Sequence, residues 1–146
     1  MKELEIYIDG ASKGNPGPSG VGAIISHSGV VVKNISSFIG NATNNIAEYT
    51  ALIYALEEAV ALKAESIKVK TDSQLLARQL NKIYKVKNAN ISGLYDRAVL
   101  LLSYFKKFTI LNIPREENQG ADRLATEAVK KELKKPVCRE AGKVLL

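Results

Sequence analysis

Leu4-Glu5-Ile6-Tyr7-Ile8-Asp9-Gly10 alternates apolar and polar side chains for a full strand length. Period-two alternation predicts a β-strand with one buried face, closed by Asp9. The next segment, Ala11–Gly20 (ASKGNPGPSG), is dense in glycine and proline and reads as a structured turn. Val21–Ser26 and Val30–Ile39 are β-rich runs joined by Ser26-His27-Ser28-Gly29, which reads as a hairpin. Three antiparallel strands therefore open the chain.

Beyond the meander the period changes. Thr43-Asn44-Asn45 offers helix-capping chemistry, and Ile46, Tyr49, Ile53, Leu56 and Val60 recur at helical spacing, predicting a helix from Asn45 to about Leu62. Glu48 lies off that stripe, in the expected first turn. Ser66–Thr71 (SIKVKT) is a fourth strand ending at Asp72, and Ser73–Leu80 reads as helix. Lys82–Asn90 is a polar, basic connector, Ile91–Phe105 an apolar helix and Phe108–Ile113 a fifth strand. Pro114–Gly120 (PREENQG) is a loop, and Ala121–Lys134 is a last helix with Leu124, Ala125, Ala128 and Val129 on one side. The order βββαβααβα predicts an α/β fold, a five-stranded mixed sheet flanked by helices. Residues 1–146 read as a single domain, with 136–146 an unassigned tail.

Composition narrows the chemistry. At 146 residues, 46% apolar and 25% charged, the chain has the balance of one folded domain. No apolar run approaches a bilayer span, and Met1–Glu5 is polar and acidic rather than a secretory signal, so a cytoplasmic location without membrane contact is expected. One cysteine, Cys138, excludes an internal disulfide framework and a cysteine-rich zinc site. One histidine, His27, weakens every triad that needs a histidine base. The net charge of +6 suits a polyanionic partner.

The acidic residues at element ends carry the chemistry. Asp9 closes the first strand and Asp72 the fourth, while Glu48 and Asp122 lie near helix starts. Each alone has a plain structural explanation in helix-dipole or turn chemistry. Were the first and fourth strands neighbours, all four carboxylates would converge. Like charges so close resist ionisation without cations, and oxygen-only ligands suit Mg²⁺ or Mn²⁺. Two such ions can drive phosphodiester hydrolysis without a histidine. The Gly14–Gly20 segment superficially has Gly-x-x-Gly spacing, but two prolines and the lack of a following Gly-Lys-Ser/Thr exclude a nucleotide-cofactor loop.

Tyr7-Ile8-Asp9-Gly10-Ala11 with Gly14-Asn15-Pro16-Gly17, Thr43–Glu48 (TNNIAE), Thr71-Asp72-Ser73-Gln74 and Asn118–Asp122 (NQGAD) together resemble type 1 ribonuclease H. The resemblance covers nearly the whole chain, in order. It implies a ribonuclease H-like fold and Mg²⁺-dependent endonucleolytic cleavage of the RNA strand in an RNA–DNA hybrid. The implied products carry 5′-phosphate and 3′-hydroxyl ends, and the implied role is removal of primers and stray RNA during replication. It places catalytic and metal-binding roles for two ions on Asp9, Glu48, Asp72 and Asp122, with Mn²⁺ as a substitute ion. By the same resemblance Asn15, Asn44, Asn45 and Gln74 read the hybrid's minor groove, and Thr43 grips a DNA-strand phosphate. The amides of the first four both donate and accept, so they contact 2′-hydroxyls and base edges without choosing a sequence.

Two departures from the family pattern stand out. The loop before the last aspartate lacks the histidine of many members, leaving Arg115, Glu116 and Glu117 as candidates for the assisting step. Asn118 is a candidate to position the last carboxylate or a metal-associated water. The long basic protrusion of some bacterial members is also absent, and Lys85 and Lys87 in the short connector remain as phosphate contacts. The alternatives are cleavage of double-stranded RNA on the same fold and a non-catalytic hybrid-binding module. A monomer is expected.

Overall fold

The computed structural model describes residues 3–83 and 85–135. The unassigned tail, with Cys138, lies outside the described residues, as do the first two residues of Met1–Glu5 and Tyr84 of the basic connector. Five strands, β1 (Glu3–Ser12), β2 (Gly17–His27), β3 (Val30–Ala42), β4 (Ser66–Thr71) and β5 (Lys107–Asn112), form one sheet in the order β3-β2-β1-β4-β5. β1 pairs antiparallel with β2, and β2 with β3. β4 pairs parallel with both β1 and β5. Four helices accompany it: α1 (Asn44–Ala61), α2 (Gln74–Leu80), α3 (Ala89–Leu102) and α4 (Gln119–Leu133), with a 3-10 turn at Arg115–Glu117.

The element order matches the sequence reading, while most boundaries move by a few residues, α3 for instance running Ala89–Leu102 and α4 starting at Gln119; three of the shifts have a clear local cause. Ala11–Gly20 is mostly strand: Ser12 pairs with Ser19, and only Lys13–Pro16 reverses the chain, closed by the Lys13 amide donating to the Pro18 carbonyl at 2.8 Å. The small residues that suggested a long turn are what let β1 and β2 continue so close together; a Cβ on Gly17 would lie 2.1 Å from the Lys13 oxygen. At the other hairpin Ser28 and Gly29 both take positive φ (51° and 80°), the two-residue turn whose twist suits paired strands. The third shift concerns α1. Thr43 takes the cap, its Oγ1 accepting from the Ile46 amide at 3.2 Å, so the helix begins at Asn44 and Glu48 falls in the second turn rather than the first. The dipole therefore gives Glu48 little support.

Alternation along β1 sorts the layers. Leu4, Ile6 and Ile8 are wholly buried and join Tyr49, Leu52 and Leu56 of α1 in the core. Each such aliphatic side chain contributes about 1.5–3 kcal/mol of burial. Because β1 runs on to Ser12, Asp9 does not close the strand as the sequence suggested; Asp9 and Gly10 lie within it and point to opposite faces. Gly10 faces α1 so closely that a Cβ would lie 2.4 Å from the Ala47 carbonyl carbon. On the other face α4 lies over β2, where Cβ atoms on Gly20 and Gly22 would meet the Ala125 and Ala121 oxygens at 2.4 and 2.2 Å. Glycine at these positions is what seats both helices against the sheet. Among the described residues no helix is long and apolar enough to cross a membrane.

Candidate active site

Parallel pairing of β1 with β4 puts Ile8 opposite Thr71, so Asp9, inside β1, and Asp72, just past the end of β4, lie side by side. Ser73, not Asp72, caps α2, its hydroxyl accepting from the Leu76 amide at 3.2 Å, which frees the Asp72 carboxyl from capping duty. The close approach at Gly10 brings Glu48 alongside. One carboxyl oxygen each from Asp9, Glu48 and Asp72 lies within 4.8 Å of the others. Asp122, in the first turn of α4, stands outside that tight trio but lines the same cleft of about 490 Å³, close enough to help raise the Asp9 carboxyl.

Electrostatics mark this cluster as unusual. Burial, reinforced by the charge of Asp72, pushes the Asp9 carboxyl up to about 8. Burial and the charges of Asp9 and Asp72 raise Glu48 well above the carboxylate range. Asp72 is also raised by burial, against the pull of the nearby Arg115 guanidinium. Glu48 Oε2 is buried with no hydrogen-bond partner, and so is Asn118 Oδ1. Oxygens buried unpartnered in an acidic cluster fit a hard divalent cation, which would supply the missing partner.

These shifts have a consequence for stability. Between about pH 4 and 8 the folded chain retains a proton at Asp9 that the unfolded chain has released, so stability falls as pH rises through that window. We expect chelator-treated protein to lose on the order of 2 kcal/mol, about 5–10 °C in Tm, between pH 5 and 8. Millimolar Mg²⁺ should restore most of it at pH 8. Thermal melts in EDTA showing a flat or rising Tm across this range would contradict the buried, mutually repelling cluster.

The remaining predicted residues separate into groups. Asn15, Thr43, Asn44 and Asn45 line one depression, in which Asn15 Oδ1 accepts from the Asn44 amide at 3.0 Å. Asn44 and Asn45 also line the carboxylate cleft. Gln74 is exposed at the start of α2, next to Ser73 of the cleft wall, without lining the cleft itself. Lys85 and Lys87 are exposed and apart from the carboxylates; Lys85 lines a separate hollow with Tyr95 and Asp96 of α3. Arg115 lines the cleft, Glu116 only the neighbouring groove, and Glu117 is exposed on the 3-10 turn. Asn118 is buried; its Nδ2 donates to the Ile8 carbonyl at 2.8 Å, and its side chain lies close enough to Asp72 to favour that carboxylate's charged form. It thus ties the α4 entry to β1. Sequence reasoning missed Asn88 and Asn90, which join the amide depression from the start of α3. Their signal was an Asn-x-Asn pair beside a helix start, where Asn88 caps α3 by accepting from the Asn90 amide at 2.7 Å. His27 lies toward the opposite end of the sheet: Glu5 pairs with Ser26, whereas Asp9 pairs with Gly22.

A family profile described as reverse transcriptase-like matches residues 7–128. Ribonuclease HI of Halobacterium salinarum is 43% identical over 127 residues, covering 86% of this chain and 64% of that protein. The crystal structure of RNase H1 from the same organism superposes with a TM-score of 0.86, at 41% identity over 88% of this chain and 98% of that one. The chain belongs to the ribonuclease H family. Another ribonuclease H structure, LC11-RNase H1 in complex with an RNA/DNA hybrid, gives a TM-score of 0.84 at 36% identity, covering 89% of this chain and 99% of that one. The bifunctional protein Rv2228c of Mycobacterium tuberculosis is 42% identical over 130 residues, 87% of this chain. The chain spans only 35% of that longer relative.

Proposed function

We propose that this ribonuclease H domain hydrolyses the RNA strand of RNA–DNA hybrids endonucleolytically, leaving 5′-phosphate and 3′-hydroxyl ends. The observation that carries the proposal is the convergence of Asp9, Glu48 and Asp72 oxygens within 4.8 Å from three separate elements. Asp9, Glu48, Asp72 and Asp122 would hold two Mg²⁺ ions, with Mn²⁺ as substitute. Bound divalent ions supply a water acidic enough to attack near neutral pH and positive charge for the phosphate oxygens.

The chain's own residues do the rest. The amides of Asn15, Asn44 and Asn45 present donors and acceptors to 2′-hydroxyls and base edges beside the carboxylates, and Thr43 adds a hydroxyl for a phosphate. Gln74 extends this set at the start of α2, and Lys85 and Lys87 add salt-sensitive attraction to the backbone. Arg115 lines the cleft and is the candidate for the step that a histidine assists in other members. A guanidinium is a fixed fork of donors, so its part is to stabilise negative charge rather than to shuttle protons. Asn118 holds the α4 entry, and with it Asp122, against β1 through the Ile8 carbonyl.

Support for the hybrid as substrate comes from the hybrid-bound LC11 structure, to which this chain is 36% identical. The test compares end-labelled RNA–DNA hybrid, RNA duplex and DNA duplex with Mg²⁺ or Mn²⁺. Rapid internal cleavage of the hybrid's RNA strand alone is expected. Comparable cleavage of RNA duplex would widen the substrate class, and an intact hybrid with both ions would refute the proposal.

A further inference from the structure

A large groove lies next to the carboxylate cleft rather than in it. It measures about 670 Å³ and runs along the outer face of α4 from the 3-10 turn, with Gln119, Arg123, Thr126 and Lys130 along it. Arg115, Asp122 and Thr126 line both this groove and the cleft, while Asn44 and Asn45 line both the cleft and the amide depression. The three depressions therefore form one continuous track with the carboxylates in the middle. From this order we infer that the α4 groove takes the single-stranded continuation of the RNA strand past the cleavage point. The inference rests on the hybrid-cleaving reading above and extends it to hybrids with an RNA overhang.

Charge and spacing favour this ligand. Arg115, Arg123 and Lys130 are exposed at the groove's lip, and among the described residues none of the three forms a side-chain ion pair. Arg123 and Lys130 are seven residues apart, about 10 Å along the helix, or about three backbone steps of a stacked strand at about 3.4 Å each. Between them Thr126 is half buried on the floor, and Gln119 lies toward the cleft. A hydroxyl and an amide of this kind can meet 2′-hydroxyls. All the lining comes from residues 115–130, giving one row of cations and so a seat for one strand rather than two. Glu116, Asp122 and Glu127 also line the groove and equal its three cations in number, so the strand is held by the local row of Arg123 and Lys130 rather than by net charge. The contribution should then appear as a KM effect on extended substrates.

The experiment uses the R123A/K130A double variant and the wild type on three substrates in Mg²⁺: a blunt hybrid, and hybrids extended by about eight single-stranded ribonucleotides at either end of the RNA strand. For the extended substrate that the wild type prefers, the variant is expected to raise KM about tenfold with kcat unchanged, and the gap should close at high salt. The blunt hybrid should change less than twofold. No preference by the wild type, equal losses on all three substrates, or no loss on any would overturn the groove assignment while leaving hybrid cleavage standing. Failure of the wild type to cut the blunt hybrid would instead overturn the parent reading, and the groove's role with it.

Discussion

Asp9→Asn is expected to reduce hybrid cleavage at least roughly 10³-fold in kcat, about 4 kcal/mol of transition-state stabilisation, while making the cation-free protein more stable. The two effects share one cause. Asp9 is almost fully buried in the cluster, with Glu48, Asp72 and Asp122 around it. Replacing its carboxyl with a neutral amide removes a proposed cation ligand and also removes the group that burial forces to keep a proton between about pH 4 and 8. In EDTA at pH 8 the variant should therefore melt several degrees above wild type, and its Tm should vary less with pH. Added Mg²⁺ should shift the variant's Tm less than the wild type's. A variant that retained cleavage would disprove the assignment, and one that melted lower at pH 8 would disprove the electrostatic account.

The second large effect is expected from Gly10→Ala. One methyl group there would lie 2.4 Å from the Ala47 carbonyl carbon and 2.5 Å from the Glu48 amide nitrogen, both backbone atoms. Neither can swing aside, so β1 and α1 must separate. We expect a loss of about 2–3 kcal/mol in urea unfolding, with cleavage reduced beyond what the unfolded fraction explains, because Asp9 and Glu48 sit on the two elements being pushed apart. Gly93→Ala on α3 is the matched control. Nothing lies within 4 Å of its would-be Cβ, and in a helix alanine should stabilise by about 0.5–1 kcal/mol. Equal behaviour of the two variants would remove the close approach as the reason for glycine at position 10.

Much of this was legible in the chain. Period-two alternation in Leu4–Asp9 and Ser66–Thr71 and the helical stripe through Tyr49 and Leu56 reflect burial on one side, and burial is what a sequence records most directly. The parallel pairing of β1 with β4 entered only as a condition, since nothing local encodes which strands become neighbours. The extension of β1 and β2 through the glycine- and proline-rich segment was not legible either. There the same small residues serve a turn and a close strand pair, and only the Ser12–Ser19 register separates them. The position of Glu48 shifted because three consecutive residues, Thr43, Asn44 and Asn45, can all cap, and Thr43 does. The Asn88 and Asn90 side chains were hidden for a different reason: their role depends on α3 packing beside α1, far away in sequence.

The chain order of the site also bears on synthesis. Asp9 precedes Asp122 by more than a hundred residues, and Asp122 lies on a helix that seats against β2 at Gly20 and Gly22, made about a hundred residues earlier. A ribosome-bound fragment ending before α4 carries three carboxylates and an uncovered β2. Such a fragment is expected to be inert toward hybrids.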